Sequence, residues 1–315
     1  MIKRETLRRR AAEAGIPTEQ TEAFLDLART ALCLTPKHVG PLVGRYGGVP
    51  PLPPGVAWPV QHTEYAEGIP LRFLAEIECA KLPRPADLDV TLPATGSLLF
   101  FSNLDVYTLY EEPEKDLTAV MHVETDPAAE PPAVPVIEPD EGYEGAQGMV
   151  VIEPTPLYAA VFLDLPNWEA FSYRYRDLEG DALLAEAHED YDLQRDFVLR
   201  VPRYAELIDI SDDLWDSPPD RYNGEMPSAL YIGGYSTREQ DPTEYDVSHE
   251  AGLDPGNTMS EAELLRTVRR DFALLAEFSL PGPNSDFVKA RYHIRRADLA
   301  AGRFDRVVPV SIFTE

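Results

Sequence analysis

The chain has 315 residues, 44% hydrophobic and 10% aromatic, enough to close a core as one large domain or two smaller ones. Acidic side chains outnumber basic ones 55 to 28, and the resulting net charge of −27 repels phosphates and anionic lipid, arguing against nucleic acid or membrane as partners. Only Cys33 and Cys79 are present, no apolar run approaches the roughly 20 residues of a membrane helix, and the basic N-terminus lacks a signal-peptide core, so a cytoplasmic protein is expected.

In chain order, residues 3–14 and 18–34 read as amphipathic helices, the second carrying an apolar stripe of Phe24, Leu25, Leu27, Ala28, Ala31 and Leu32. Pro36 ends it. Short strands between Pro/Gly turns follow, at 71–77, 97–102, 105–110, 118–123, 149–153 and 157–163. The acidic, proline-rich stretch 124–148 reads as a linker or exposed insertion. Beyond it, 181–197 looks helical, Ser260 and Glu263 form a capping box, and 272–278, 287–294 and 306–313 look like strands.

The stretch RYGGVPPLPPGVAWP, 45–59, contains the Pro-x-x-Pro spacing of SH3-type ligands. Its Tyr46, Leu52 and Trp58 favour a different reading, a stiff polyproline-like rod pinned to a sheet, with Gly47 and Gly48 permitting a turn. An order also recurs. RYGG at 45–48, LRFLAEIE at 71–78 and GSLLFFSN at 96–103 are followed later by YIGG at 231–234, FALLAEFS at 272–279 and FVKARYHI at 287–294. Glu76 and Glu277 interrupt the two apolar strands at the same place, which points each toward solvent or a polar partner. The expected fold is α+β and β-rich, with two related antiparallel-sheet halves (a pseudo-two-fold duplication) and N-terminal helices. Its divisions are N-terminal helices 1–35, a first half 36–123, the linker 124–148 and a second half 149–315, in one compact unit.

Several blocks resemble the YwqG-like family, also called DUF1963. They are Gly47-Gly48-Val49-Pro50, Leu52-Pro53-Pro54-Gly55, Trp58-Pro59, Phe73-Leu74-Ala75 and Leu98-Leu99-Phe100-Phe101, with Gly234-Tyr235, Gln240 and the C-terminal Asp298-Leu299-Ala300-Ala301 and Phe304-Asp305. The resemblance implies two related β-rich halves and carries no function. Where the family has glutamines in its two strand motifs this chain has Glu76 and Glu277, and no proline follows Tyr235.

Catalytic motifs are sparse. GYSTR at 234–238 lacks the second glycine of a nucleophile elbow, and there is no phosphate loop, Cys-x-x-Cys or His-Glu-x-x-His. The histidines His38, His62, His122, His188, His249 and His293 are scattered singly. SDDLWD at 211–216 and EQDPTEYD at 239–246 lack EF-hand spacing and read as solvated acidic loops. The arginines of 266–306 suit pairing with the surplus acids, the alternative being an anion site. No catalytic residue, metal or cofactor is expected. The charge suits solubility alone, or a binding protein for a basic protein partner, an inhibitor or immunity-type factor, with Tyr143, Tyr235, Gln240 and Tyr245 as anchors and Gly47, Gly48, Trp58, Glu76 and Glu277 as structural residues. The alternatives are an enzyme with a carboxylate-based site in the cleft between the halves, and a scaffold.

Overall fold

A computed structural model describes residues 4–62, 67–103, 117–124, 132–135, 151–164, 201, 203–204, 206–207, 210, 230–236, 243–253, 258–281 and 287–314. The strand expected at 105–110, the helix at 181–197, Tyr143, Gln240 and most of 124–148 lie outside these residues.

Helix α1 spans Arg4–Glu13 and α2 spans Thr18–Leu25. They are tied by a two-pronged contact of Arg8 with Glu22, at 2.7 and 2.8 Å. The second helix is shorter than its apolar stripe predicts. Residues Arg29–Thr35 form strand β1, buried from Thr30 onward. Ala31 and Cys33 pack on one face and Leu32 and Leu34 on the other. A strand buried on both faces has an unbroken apolar run, and such a run imitates a helical stripe.

The remaining strands are β2 (Leu42–Tyr46), β3 (Val60–His62), β4 (Glu67–Pro70), β5 (Phe73–Glu78), β6 (Ser97–Ser102), β7 (Thr118–Val123), β8 (Thr155–Asp164), β9 (Leu230–Ile232), β10 (Phe272–Pro281), β11 (Phe287–Arg295) and β12 (Val308–Thr314). Among the described residues the further named helices are α3 (Thr243–Glu250), α4 (Glu261–Asp271) and α5 (Arg296–Ala300). Ten strands form one antiparallel sheet in the order β12-β11-β10-β9-β1-β8-β2-β5-β6-β7, while β3 and β4 pair separately. The described residues are therefore mostly antiparallel sheet with few helices, and the large sheet curls into a nearly closed barrel. Inside it, the rings of Phe100, Phe278 and Tyr292 meet with centroids 5.2–5.6 Å apart.

The outer face has two kinds of cover. Over β5–β7 lies the proline segment: Leu52 is buried and Val56 and Trp58 are half-buried against Phe73, Leu99, Phe101 and Met121. The Trp58 Nε1–H donates to the Leu71 carbonyl at 2.7 Å. Over β10–β12 lie α3 and α4, through Val247 and Val268 against Phe272 and Val310. Helix α4 starts on the expected capping box of Ser260 and Glu263.

Gly47 and Gly48 take φ of 72° and 81°, in the left-handed region that favours glycine. A side chain on Gly47 would also meet the Ile152 carbonyl oxygen at 2.7 Å.

Candidate functional site

The two edges of the barrel sheet, β7 and β12, do not pair with each other. The short turn Phe304–Arg306 sits in the gap, with the Phe304 ring 5.6 Å from that of His122. Beside it a cavity of about 990 Å³ opens between the two outer covers. Trp58 and Val60 of the proline segment wall one side, and Ala251 after α3 and Val308 of β12 the other. Thr118–Met121 of β7 and the charged groups Arg295, Asp298, Arg303, Asp305 and Arg306 complete it. That volume is at the upper end of small-molecule and cofactor sites, roughly 300–1,000 Å³.

The charges are not equivalent. Arg303 pairs with Asp298, and Arg306 lies 3.6 Å from Asp305. The Arg295 guanidinium instead stacks over the Phe272 ring, 5.0 Å from its centroid. It has no ion-pair partner among the described residues.

A second polar concentration is buried on the outer face of β9–β11. Across β5 and β6, Glu76 stands opposite Leu99, and Ser97, Leu99 and Phe101 share that face. Across β10 and β11, Glu277 stands opposite Arg291, and Lys289, Arg291 and His293 share the face. All three are buried, Arg291 completely, with its Nε 3.4 Å from Glu277. His293 Nε2 is 2.9 Å from the Ser236 hydroxyl. Burial, and next the Arg291 charge, push the His293 imidazole down to about 4, against the opposing pull of Glu244 and Glu277. It is neutral at pH 7 and a weak base, so a Ser–His contact of catalytic length is not a poised nucleophile pair.

Of the anchors expected from sequence, Tyr235 and Tyr245 are described and neither lines the cavity. The Tyr235 hydroxyl donates to the Leu27 carbonyl at 2.6 Å, its N–H donates to Asp164 at 2.7 Å, and the Arg29 guanidinium lies 4.2 Å over its ring. Tyr245 sits on α3 with its hydroxyl buried. Glu76 accepts from the Ser97 hydroxyl at 3.1 Å and lies 3.2 Å from Arg45. Burial raises its pKa, partly offset by Arg45 and Ser97. Burial likewise lifts the Cys79 thiol to about 11, leaving it unreactive.

Residues 44–310 match the family described as Domain of unknown function (DUF1963). The chain belongs to this family. No curated protein matches it. The DUF1963 match runs from β2 to β12, so it takes in both sheet edges and the cavity between them, and leaves α1, α2 and β1 outside.

Proposed function

We propose that this DUF1963 protein is a binding protein, an inhibitor or immunity-type factor that holds a basic partner and performs no chemistry of its own. One observation carries the reading. Six of the C-terminal arginines are engaged with acids of the same chain: Arg269 with Glu244, Arg270 with Asp271, Arg291 with Glu277, Arg296 with Asp89, Arg303 with Asp298 and Arg306 with Asp305. Even with every Lys and Arg so engaged, 55 − 28 = 27 carboxylates would be left for water or for a cationic partner. Opposed charge accelerates encounter roughly 10–1000-fold at low salt, and the final affinity then comes from a few buried contacts.

The test is co-purification at low salt, followed by binding kinetics on what is recovered. The association rate should fall steeply as the Debye length shrinks from about 30 Å at 0.01 M salt to about 10 Å at 0.1 M, with dissociation nearly unchanged. An on-rate indifferent to salt would reject the basic-partner reading.

The second reading is an enzyme working between the two halves. The cavity at the sheet's seam, with Asp298 and Asp305 in its lining, favours it. Turnover lost in Asp298→Asn or Asp305→Asn would select this reading over the first.

We further propose the YwqG-like subtype, a cytoplasmic location, and a pseudo-two-fold duplication. The two cysteines, buried and unbridged, support a reducing compartment. Supporting the duplication, β2-β5-β6-β7 and β9-β10-β11-β12 run outward on either side of the central pair β1 and β8 in the same sense of chain order. The strand next to each central strand, β2 and β9, is followed by a Gly-Gly pair of matching φ, 72° and 81° against 71° and 80°. The next two strands carry a bulge, between Phe73 and Ala75 in one set and between Leu274 and Ala276 in the other. A crystal structure in which the two sets fail to superpose strand for strand would dismiss the duplication.

A further inference from the structure

The open edge of β7 faces the cavity with its backbone. A cavity on one face of a strand is lined by every second residue, because side chains alternate. Here four consecutive residues, Thr118, Ala119, Val120 and Met121, all line it, so it is the edge of the strand that is presented. The direction of the backbone groups follows from the neighbouring strand. Ser102 donates its N–H to the Arg72 carbonyl, on the β5 side, and Asn103 donates to the Leu117 carbonyl, on the β7 side. Alternation along the antiparallel pair turns the groups of Ala119 and Met121, opposite Phe101 and Leu99, toward β6. Those of Thr118 and Val120 point outward, and none of them meets a backbone partner among the described residues.

We propose that the cavity binds an extended peptide as an eleventh strand on β7, with a carboxylate of that peptide against Arg295. Main-chain hydrogen bonds to Thr118 and Val120 supply the pairing, and alternate peptide side chains enter the apolar wall of Trp58, Met121 and Val308. The edge presented spans about four residues of a peptide at roughly 3.4 Å each. Charge sets the rest of the ligand's chemistry. Three arginines face two aspartates in the cavity, the aspartates are taken by Arg303 and Arg306, and the Arg295 fork is left for a planar anion. The nearby Asp271, whose pKa Arg295 helps to lower, is itself engaged by Arg270 at 2.7 Å. This inference concerns the docked segment alone and does not rest on the partner's overall charge.

The probe is a random pool of soluble pentapeptides rich in Val, Ile and Thr, in three forms: free C-terminus, amidated, and amidated with one internal Glu. Peptides retained by the parent protein should bind Arg295→Ala at least tenfold more weakly, while the variant unfolds at the parent's midpoint. Loss on amidation identifies the terminal carboxylate, and retention of the Glu form identifies a side-chain carboxylate. In the unmodified parent, bound peptide should slow amide exchange at Thr118 and Val120, a readout that does not depend on any variant folding. Absence of retention in all three forms, equal binding by Arg295→Ala, or exchange at Val120 unchanged by a bound peptide would each overturn the proposal.

Discussion

At the scale of single residues, the two most telling side chains titrate in opposite senses. The His293 imidazole is held near 4 by burial and by Arg291, below its ordinary 6.5. Between those values the unfolded chain takes up a proton that the folded protein refuses, so stability is present above pH 6.5 and is lost as pH falls toward 4. The expected loss is about 3 kcal/mol, and His293→Phe should flatten the acid side of a urea-midpoint-versus-pH curve. Glu76 is the mirror case. Its pKa is raised, chiefly by burial, so the folded state binds the proton more tightly. Stability then declines as pH rises from the ordinary glutamate value through the folded one, and Glu76→Gln should remove that decline. A Glu76→Gln protein whose midpoint follows the parent's at every pH would show that Glu76 is charged at no cost.

At the scale of elements, the proline segment is a cover, held as expected by Leu52 and Trp58, whereas Tyr46 belongs to β2 and packs in the barrel core. Trp58→Ala removes a half-buried ring and the bond to the Leu71 carbonyl, and should cost about 2–4 kcal/mol, below a fully buried tryptophan. An unchanged denaturant midpoint would mean that the rod is held by Leu52 alone. Elements governed by local chemistry were readable. The capping box of Ser260 and Glu263 starts α4 as expected, and 97–102 and 118–123 coincide with β6 and β7. Strand β1 was not, because Leu32 and Leu34 face the barrel while Ala31 and Cys33 face outward. Nor was the cavity. Its walls come from 57–60, 118–121, 251 and 295–308, and no short-range pattern joins segments so far apart in sequence. In the sequence Arg295 is one of eight arginines between 266 and 306, and only the pairing of Arg303 and Arg306 sets it apart. The contrast between Phe101 and His293, or Leu99 and Arg291, was present in the two strands, but its burial became visible only with the covers in place.

At the scale of the whole molecule, 27 surplus negative charges repel one another, and folding brings them closer together. Added salt screens that repulsion, while it weakens exposed pairs such as Arg9–Glu13 that are worth little to begin with. The expected outcome is a denaturant midpoint that rises between about 0.01 and 0.15 M sodium chloride, as the Debye length contracts from about 30 to about 8 Å. A midpoint that falls over this range would mean that the ion pairs outweigh the self-repulsion.

The place of β1 at the middle of the sheet also has a consequence on the ribosome. One side of this strand pairs with β8, from Arg29 opposite Asp164 to Thr35 opposite Tyr158, and the other with β9 (Leu230–Ile232). The second side therefore stays bare after the first is satisfied, until about 70 more residues have been made, an interval of about 3–14 s at 5–20 residues per second. During that time the nascent chain exposes a long apolar edge at the future centre of its sheet, the kind of template that recruits neighbouring chains. Translation speed between codons 164 and 232, more than any property of the finished protein, should govern how much of it escapes aggregation.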